Sequence, residues 1–256
     1  MNPKISIITP SFNQAEFIKQ TIDSVLDQKY PNLEYIIMDG GSTDGSAEII
    51  KKYAQRYPQV IKWESKQDKG QVDAINRGLK IATGDIIAYL NSDDRYLPAA
   101  FAEVAKFFRQ NPYKLWLVGN CQVTQQNLRW TFLLKHIWPV HITPGILTIF
   151  NFINQPAVFL KRELIDLVGA FNPDYLYAFD YEYWLRCIQI GLPGRIYKEL
   201  AVFRVHRVSK SSEGFAAQFS EDYEISKTFT QNSVIKLMHF LLKNLTTSSY
   251  KFLKSS

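Results

Sequence analysis

Apolar residues along the first hundred positions alternate between short continuous runs and a helical repeat. The short runs predict β-strands at residues 5–9, 33–38, 60–64 and 84–90. The repeats between them predict helices at residues 14–26, 45–57 and 71–82. Strand and helix therefore alternate, and right-handed crossovers between successive strands predict one mostly parallel sheet flanked by helices.

The second half of the chain is less regular. We predict a helix at 99–109 and short strands at 115–118 and 121–123, and we expect an ordered segment again near 157–160. Residues 130–152 are rich in apolar side chains but are interrupted by Pro139 and Pro144, which argues against one continuous helix. This segment is either an acceptor-facing flap, a membrane-touching edge or an ordinary irregular cover of the sheet.

Residues 233–254 carry apolar side chains at helical spacing, interspersed with lysines. This pattern fits a helix lying on an anionic membrane surface. It fits equally well a helix that packs an apolar stripe on its own domain.

Composition narrows the class of protein. The chain has 256 residues, 46% of them hydrophobic, which is enough for one large α/β domain. Its net charge of +6 favours anionic partners, yet its aromatic residues lie within apolar segments, so we expect no nucleic acid partner. Two distant cysteines, Cys121 and Cys187, and an N-terminus without a leader pattern predict a cytoplasmic protein. No apolar window is long enough for a membrane span.

Adjacent carboxylates follow the buried strand that ends at Leu90. Asp93 and Asp94 would raise each other's pKa unless a divalent cation such as Mn²⁺ or Mg²⁺ lay between them and a phosphate. Ligands bind at the carboxyl ends of parallel strands, which is where this pair falls. The alternative is that the two side chains cap the helix expected after Pro98.

Two further loops open at the same predicted edge, after residues 9 and 38. Asp39 is a candidate for accepting hydrogen bonds from a ribose or from the imide of uracil. The alternative is that Asp39 braces its turn, while Asp44 caps the next helix. Neither loop matches the glycine patterns of Walker-type or dinucleotide-binding proteins.

Four ordered motifs of the first half resemble the inverting, family 2 type of glycosyltransferase with a GT-A fold. They are SIITPSFN at residues 6–13, DGGSTDGS at 39–46, DKGQVDAINRG at 68–78 and NSDD at 91–94. The resemblance implies that Asp39 binds the base, that Thr9 lines the nucleoside pocket and that Asp93 holds metal and diphosphate. The other donor-side candidates in these motifs are Pro10, Asn13, Lys69, Asn76 and Ser92. Asn91 replaces the first acid of the family's Asp-x-Asp element and brings no negative charge.

Two motifs of the second half extend the resemblance. FDYEYWLR at residues 179–186 resembles the family's acidic-pair element, with Phe179 in place of the first acid. The resemblance implies that Asp180 is the catalytic base, with Glu182 as its rival. Trp184 and Gln155 are candidates for the acceptor side, as is Glu182. FRVHRVSKS at 203–211 resembles the element whose histidine approaches the metal, so His206 is a candidate ligand, and a mixed Asp and His shell suits Mn²⁺.

The resemblance implies one GT-A type Rossmann-like domain at residues 1–212, followed by a helical tail at 213–256. Residues 1–97 would be the nucleotide-binding half and 98–212 the acceptor and catalytic-base half. We therefore expect a metal-dependent glycosyltransferase of the hexosyltransferase type, acting in polysaccharide biosynthesis. It would use a nucleotide-diphosphate sugar, first a UDP-sugar, and a glycan or lipid-linked acceptor. A catalytically silent nucleotide-sugar-binding protein and a sugar nucleotidyltransferase are the alternatives.

Overall fold

The computed structural model describes residues 2–125, 142–206 and 214–254. Its residue contacts divide the chain into two units. The sheet unit comprises Met1–Thr124, Asn154–Phe171 and Pro193–Arg204, and the helical unit comprises Gln125–Ile153, Asn172–Leu192 and Val205–Ser256. The predicted domain boundaries after residues 97 and 212 stay predictions.

Eight strands of the described chain form one sheet, in the order β3-β2-β1-β4-β7-β6-β8-β5. They are β1 (Ile5–Ser11), β2 (Leu33–Asp39), β3 (Ile61–Ser65), β4 (Ile86–Tyr89), β5 (Arg95–Tyr96), β6 (Trp116–Gln125), β7 (Val158–Lys161) and β8 (Gly194–Val205). β1 pairs in parallel with β2 and β4, and β2 pairs in parallel with β3. The β4–β7, β6–β7 and β5–β8 pairs are antiparallel. The predicted α/β fold with parallel early strands is confirmed.

Amphipathic helices bury one stripe each in the sheet unit. They are α1 (Ile18–Leu26), α2 (Ser46–Arg56), α3 (Gln71–Ile81), α4 (Ala100–Gln110) and α6 (Arg162–Val168). On α1, the residues Ile18, Ile22 and Val25 are fully buried, as the helical repeat predicts. Gly78 lets α3 approach β1, because a Cβ at that position would lie 2.5 Å from Ile8 Cγ2.

Two predicted boundaries are wrong. Helix α1 begins at Ile18 rather than at residue 14. The backbone N–H groups of Gln14 and Ala15 instead donate to Ser46 Oγ and Asp44 Oδ2, which holds this stretch as a loop. The two short strands predicted at 115–118 and 121–123 are one continuous strand, β6.

Four helices pack on one another in the helical unit: α5 (Pro144–Ile149), α7 (Phe179–Ile190), α8 (Phe215–Phe229) and α9 (Ser233–Lys254). The Tyr181 hydroxyl donates to the carbonyls of Leu147 and Thr148, at 2.9 and 3.1 Å. His239 Nδ1 lies 2.9 Å from the same Thr148 carbonyl, so α7 and α9 meet at the end of α5. Of the predicted irregular segment, residues 130–141 lie outside the described residues. Within the described part of the chain, no helix is both long and apolar enough to span a membrane.

A buried carboxylate, Glu34, links β2 to β1 and to the turn before β4. Its side chain is 4% exposed and accepts hydrogen bonds from Ser6 Oγ at 2.5 Å, Lys62 Nζ at 2.8 Å and Thr83 N at 2.7 Å. Burial alone would raise the pKa of Glu34, but the bonds from Lys62, Ser6 and Thr83 outweigh it and lower the pKa to about 2. The ionised form of Glu34 therefore stabilises the folded chain.

We expect Glu34→Gln to lower the free energy of unfolding by about 2 kcal/mol at pH 7, because the amide cannot satisfy three donors. The folded pKa of about 2 lies below the ordinary value of 4.5, so this contribution is present above pH 4.5 and is lost as pH falls towards 2. Urea unfolding at pH 7 and pH 3 measures it. Glu16→Gln, at an exposed position, is the control. A difference between wild type and Glu34→Gln that stays constant down to pH 2 would contradict this assignment.

Candidate functional site

The carboxyl ends of the parallel strands meet at one edge of the sheet. The strand register pairs Ser11 of β1 with Asp39 of β2, and Asp39 with Ser65 of β3. The loops that follow β1, β2 and β3 therefore begin side by side. This is the edge at which open α/β sheets bind ligands.

Asp39 is fully buried at this edge and accepts four hydrogen bonds. Its Oδ2 accepts from the backbone N–H groups of Gly41 and Ser42, at 3.1 and 2.9 Å, and from Ser65 Oγ at 2.7 Å. Its Oδ1 accepts from Ser42 Oγ at 2.5 Å. Asp39 thus braces its turn, and binding a nucleoside would require the exchange of one hydroxyl donor, such as that of Ser42.

The loops after β1 and β2 are tied together by reciprocal hydrogen bonds. Asn13, which has a left-handed φ of 52°, donates its N–H to Ser42 Oγ at 2.8 Å and accepts from Thr43 N at 2.9 Å. Asp44 accepts from Ser46 and from the Ala15 N–H. Burial raises the pKa of Asp44, but these hydrogen bonds outweigh it, so the net shift is downward. Asn13 therefore fixes the shape of the edge and is itself exposed to solvent.

Thr9 and Pro10 are buried in the strand rather than displayed in a pocket. The Thr9 hydroxyl lies 3.1 Å from the Tyr35 hydroxyl, and its side chain is fully buried, so its hydroxyl does not line an open nucleoside pocket. Ser11, which the sequence did not single out, is 4% exposed, and its Oγ has no hydrogen-bond partner among the described residues. The sequence alone does not indicate that a hydroxyl beside Asp39 is buried without a partner, and only the structure shows it.

The candidates on α3 and the loop before it separate into two groups. Lys69 is exposed, and its N–H donates to Asp73 Oδ2 at 3.4 Å. Asn76 uses both ends of its amide on the backbone of Phe171, at 2.8 and 2.9 Å. Arg77 pairs with Glu64 at 2.8 Å. The geometry therefore argues for a structural role of Asn76, while Lys69 keeps an exposed cation beside the edge.

The two carboxylates in the segment after β4 lie in different environments. Asp94 is fully buried and accepts from the Arg204 N–H at 2.8 Å. Burial first, and then the charge of Asp93, raises the pKa of Asp94 well above its usual range. Asp93 is half-buried. The two carboxylates interact as the sequence predicted, and Asp94 has a structural role that the sequence did not distinguish.

Neighbours of Asp93 hold this segment in place. Ser92 is 5% exposed, and its carbonyl accepts from Thr21 Oγ1 at 2.8 Å. The Asn91 amide oxygen accepts from Gln71 Nε2 at 2.7 Å, which ties the segment to the start of α3. Gln155 donates its Nε2 to the Tyr89 carbonyl at 2.7 Å, while its buried Oε1 has no partner among the described residues. The Ser92 side chain is thus enclosed by protein.

The start of α7 carries the second set of candidates, in the helical unit. Asp180 is half-buried in the first turn, and its Oδ1 accepts from the Tyr181 N–H at 2.7 Å. Glu182 is 7% exposed, and both of its oxygens are engaged by Arg186, at 2.8 and 2.9 Å. A bidentate ion pair of this kind commits both oxygens of Glu182 to Arg186 and favours a structural role for it.

The aromatic residues of α7 do not form a sugar-facing surface. Tyr181 and Tyr183 are fully buried and Trp184 is 1% exposed, so all three are core residues of the helical unit. The predicted acceptor role of Trp184 therefore fails on burial, because a side chain without solvent access offers no face to a sugar. An aromatic cluster has the same sequence pattern in a core and in a binding site.

His206 follows β8 and is 8% exposed. Among the residues that the structure describes, no group of three or more His, Cys, Asp or Glu side chains is close enough together to hold a metal ion. A metal held by protein groups alone is therefore not evident in these ranges.

Comparison with known proteins identifies the same family that the motifs resemble. A model of the family described as glycosyl transferase family 2 matches residues 6–165. The putative teichuronic acid biosynthesis glycosyltransferase TuaG of Bacillus subtilis is 38% identical over 241 residues, covering 93% of this chain and 91% of that protein. A PGL/p-HBAD biosynthesis glycosyltransferase of Mycobacterium tuberculosis is 30% identical over 188 residues, covering 72% of this chain and 70% of that protein.

Two solved structures share the fold at 19% identity. S. aureus TarS 1-349, in complex with UDP-GlcNAc, aligns with a TM-score of 0.71 over 87% of this chain. The alignment spans 65% of the TarS chain, which is just under two thirds of its length. The mannosyltransferase PcManGT from Pyrobaculum calidifontis, in complex with GDP-Man and Mn²⁺, aligns with a TM-score of 0.70 over 96% of this chain and 70% of that one.

We expect Asp39→Asn to destabilise the sheet unit by about 1–3 kcal/mol, because an amide group would turn a donor towards N–H and hydroxyl groups that now donate to the carboxylate. Urea unfolding of the two forms measures the difference. Asp27→Asn, an exposed position at the end of α1, is the matched control and should change stability by less than about 0.5 kcal/mol. Equal stability of Asp39→Asn and wild type would contradict the bracing role.

Proposed function

The chain belongs to glycosyl transferase family 2, and from that premise we propose that it transfers a sugar from a nucleotide diphosphate to a hydroxyl group, with inversion at the anomeric carbon. One observation carries the proposal: the family's motif residues Asn13, Asp39 and Asp93 lie at or just after the carboxyl ends of strands that end at one edge of the parallel sheet. That edge is where open α/β sheets bind ligands, and its loops carry an exposed Lys69 and the buried carboxylate of Asp39.

A UDP-sugar is our first choice of donor. Asp39 would accept a hydrogen bond from the uracil imide or the ribose in exchange for the Ser42 hydroxyl, and Ser11 Oγ, buried without a partner, would gain one. Lys69 would neutralise part of the diphosphate charge. The structures of TarS with UDP-GlcNAc and of PcManGT with GDP-Man support a nucleotide-sugar donor. Which nucleobase the donor carries is the point to test.

The residues present fit a divalent cation shared with the donor, Mn²⁺ or Mg²⁺. Mg²⁺ is commonly held by one or two carboxylates together with substrate phosphates, so a cluster of three protein ligands is not required. The family resemblance makes Asp93 the carboxylate ligand and His206 an imidazole ligand, and a mixed set of this kind would suit Mn²⁺. Such a cation would stabilise the negative charge of the departing diphosphate. The bound Mn²⁺ of PcManGT supports this part of the proposal.

Asp180 is the proposed catalytic base. Glu182, its rival, is already committed to Arg186 through both oxygens, whereas Asp180 lies half-buried in the first turn of α7. The positive end of the helix dipole favours the ionised carboxylate there. Asp180 would take the proton of the acceptor hydroxyl as its oxygen bonds to the anomeric carbon and the bond to the diphosphate breaks. One displacement gives inversion and releases the nucleoside diphosphate.

The acceptor is proposed to be a growing glycan or a lipid-linked glycan of polysaccharide biosynthesis. TuaG, described as a putative teichuronic acid biosynthesis glycosyltransferase, supports this class of acceptor. Gln155 stays an acceptor-side candidate, because its buried Oε1 has no partner among the described residues. Trp184 is not part of this proposal, and Glu182 enters it only through its pair with Arg186.

Helix α9 supports a peripheral position at the cytoplasmic face of a membrane. The side chains that it buries or half-buries are largely polar, and include His239, Lys243 and Thr246. Among residues 233–247, most apolar side chains face solvent, including Leu237, Leu241 and Leu245 at 56%, 51% and 65% exposure. The 22-residue helix contains four lysines and no acidic residue, which complements an anionic bilayer. We propose that this face, Val234 to Leu245, docks on anionic lipid.

We expect Asp180→Asn to lower the rate of sugar transfer by a factor of about 10²–10⁴ while leaving donor affinity within about twofold. The assay follows nucleotide release and acceptor glycosylation with UDP-, GDP- and dTDP-sugars, each with Mn²⁺, Mg²⁺ or a chelator. Glu182→Gln is the comparison variant. Because it weakens the ion pair with Arg186, we expect it to lower thermal stability without lowering the rate of the chemical step.

Three outcomes of that assay would contradict parts of the proposal. Full transfer by Asp180→Asn, with Glu182→Gln inactive, would make Glu182 the base. Tight binding of a UDP-sugar without release or transfer to any acceptor would favour the silent binding protein. Formation of a nucleotide sugar from sugar phosphate and nucleoside triphosphate would favour the nucleotidyltransferase.

We expect the double variant Leu237→Glu with Leu241→Glu to bind phosphatidylglycerol vesicles at least about tenfold more weakly than wild type, because two exposed leucines lose their contact with lipid. Vesicle flotation measures it, and binding should weaken as salt is raised. Leu167→Glu with Ile81→Glu, at positions outside α9 that are 63% and 44% exposed, is the matched control with the same change of charge. Unchanged vesicle binding by the double variant would contradict lipid as the occupant of this face. A stable wild-type dimer that dissociates in the double variant would contradict it as well.

A further inference from the structure

We propose that Glu221 of α8 is the positioning residue for the proposed base, Asp180, a role that rests on the proposed function. Glu221 lies outside the residues matched by the family model, and no motif of the sequence pointed to it. The inference comes from what its carboxylate contacts within the helical unit.

Glu221 accepts hydrogen bonds from three consecutive backbone N–H groups. Leu176 N donates to Oε1 at 2.9 Å, and Tyr177 N and Ala178 N donate to Oε2, each at 2.7 Å. Helix α7 begins at the next residue, Phe179, and Asp180 follows it. Three bonds to one ionised carboxylate therefore fix the backbone immediately before the proposed base.

The start of α7 depends on this contact, because it has no cap of its own. The N-cap residue is Ala178, whose side chain makes no capping hydrogen bond. Hydrogen bonds to a charged acceptor are stronger than hydrogen bonds between neutral groups. The direction of the Asp180 side chain follows from the first turn, in which its Oδ1 accepts from Tyr181 N.

The start of α8 packs against a side chain of the same segment. Gly214 is the N-cap of α8, and a Cβ there would lie 2.0 Å from Cε1 of Tyr177. A larger residue at position 214 would require the Tyr177 ring to move. The helix that carries Glu221 therefore contacts residues 176–178 at a second point, through the Tyr177 ring.

The neighbour of Glu221 supports the same arrangement. Asp222 is 4% exposed, and burial first, then the charge of Asp180, raises its pKa well above the usual range. The charge of Asp180 therefore acts on the Asp222 carboxyl group, which lies close enough to the proposed base to interact with it. Helix α8 in this way supplies one carboxylate that holds the backbone and a second carboxyl group beside the base.

The test is Glu221→Gln, with Glu224→Gln as the matched control on the same helix, where Glu224 is an exposed partner of Lys227. Glutamine keeps one acceptor oxygen and turns an N–H₂ group towards backbone donors, so one or two of the three bonds are lost. We expect kcat of sugar transfer to fall about tenfold or more, with the KM for the donor within about twofold of wild type. Glu224→Gln should keep both constants within about twofold.

Hydrogen exchange gives a readout that does not depend on activity. The amides of residues 176–178 should exchange at least about tenfold faster in Glu221→Gln than in wild type, and Glu221→Asp should lie between them. Unchanged exchange, or a kcat and a donor KM that worsen in proportion to lost thermal stability, would overturn the positioning role.

The result for Asp180→Asn separates this inference from the proposed function. If Asp180→Asn abolishes transfer while Glu221→Gln has wild-type kcat, the base stands and the positioning role is overturned. If Asp180→Asn transfers sugar normally, the base assignment itself fails, and the role of Glu221 falls with it.

Discussion

The constraint on which the sheet unit depends is the burial of Asp39 at the end of β2. A buried carboxylate is stable only with its hydrogen bonds satisfied, and Asp39 takes donors from its own turn and from Ser65 of the neighbouring strand. The same turn is joined through Ser42 and Thr43 to Asn13 of the first loop. Asp39 can therefore both brace its turn and contribute to a nucleotide site, because these hydrogen bonds hold the edge in a fixed shape.

Sequence reasoning predicted the first four strands and the loops after them, because a buried parallel strand and an amphipathic helix each leave a distinct period. It failed where one pattern has two physical origins. Trp184 and Tyr181 look alike in a core and in a sugar platform, and only their burial decides for the core. Thr9 stands at a loop entrance in the sequence, yet the pleat turns its hydroxyl to Tyr35.

Two pairs of neighbouring carboxylates show most clearly what the structure adds to the sequence. Without the family resemblance, the sequence presents Asp93 beside Asp94, and Asp180 two residues before Glu182, with nothing to rank the members of either pair. Asp94 is taken by the Arg204 backbone and Glu182 by the Arg186 guanidinium, which assigns a structural role to one member of each pair. Partners 110 residues away, as for Asp94, leave no local signal in a sequence. The remaining members, Asp93 and Asp180, are the ones that the family resemblance independently marks.

Helix α9 reverses the usual relation between amphipathicity and burial. A surface helix normally turns its apolar stripe inward, so the sequence pattern alone fitted packing and membrane docking equally. Here a histidine, His239, makes the buried contact, with the Thr148 carbonyl, and the leucines remain outside. Apolar surface left in water raises the free energy of the folded chain unless something covers it, and four lysines without an acidic residue make an anionic bilayer the cover that charge favours.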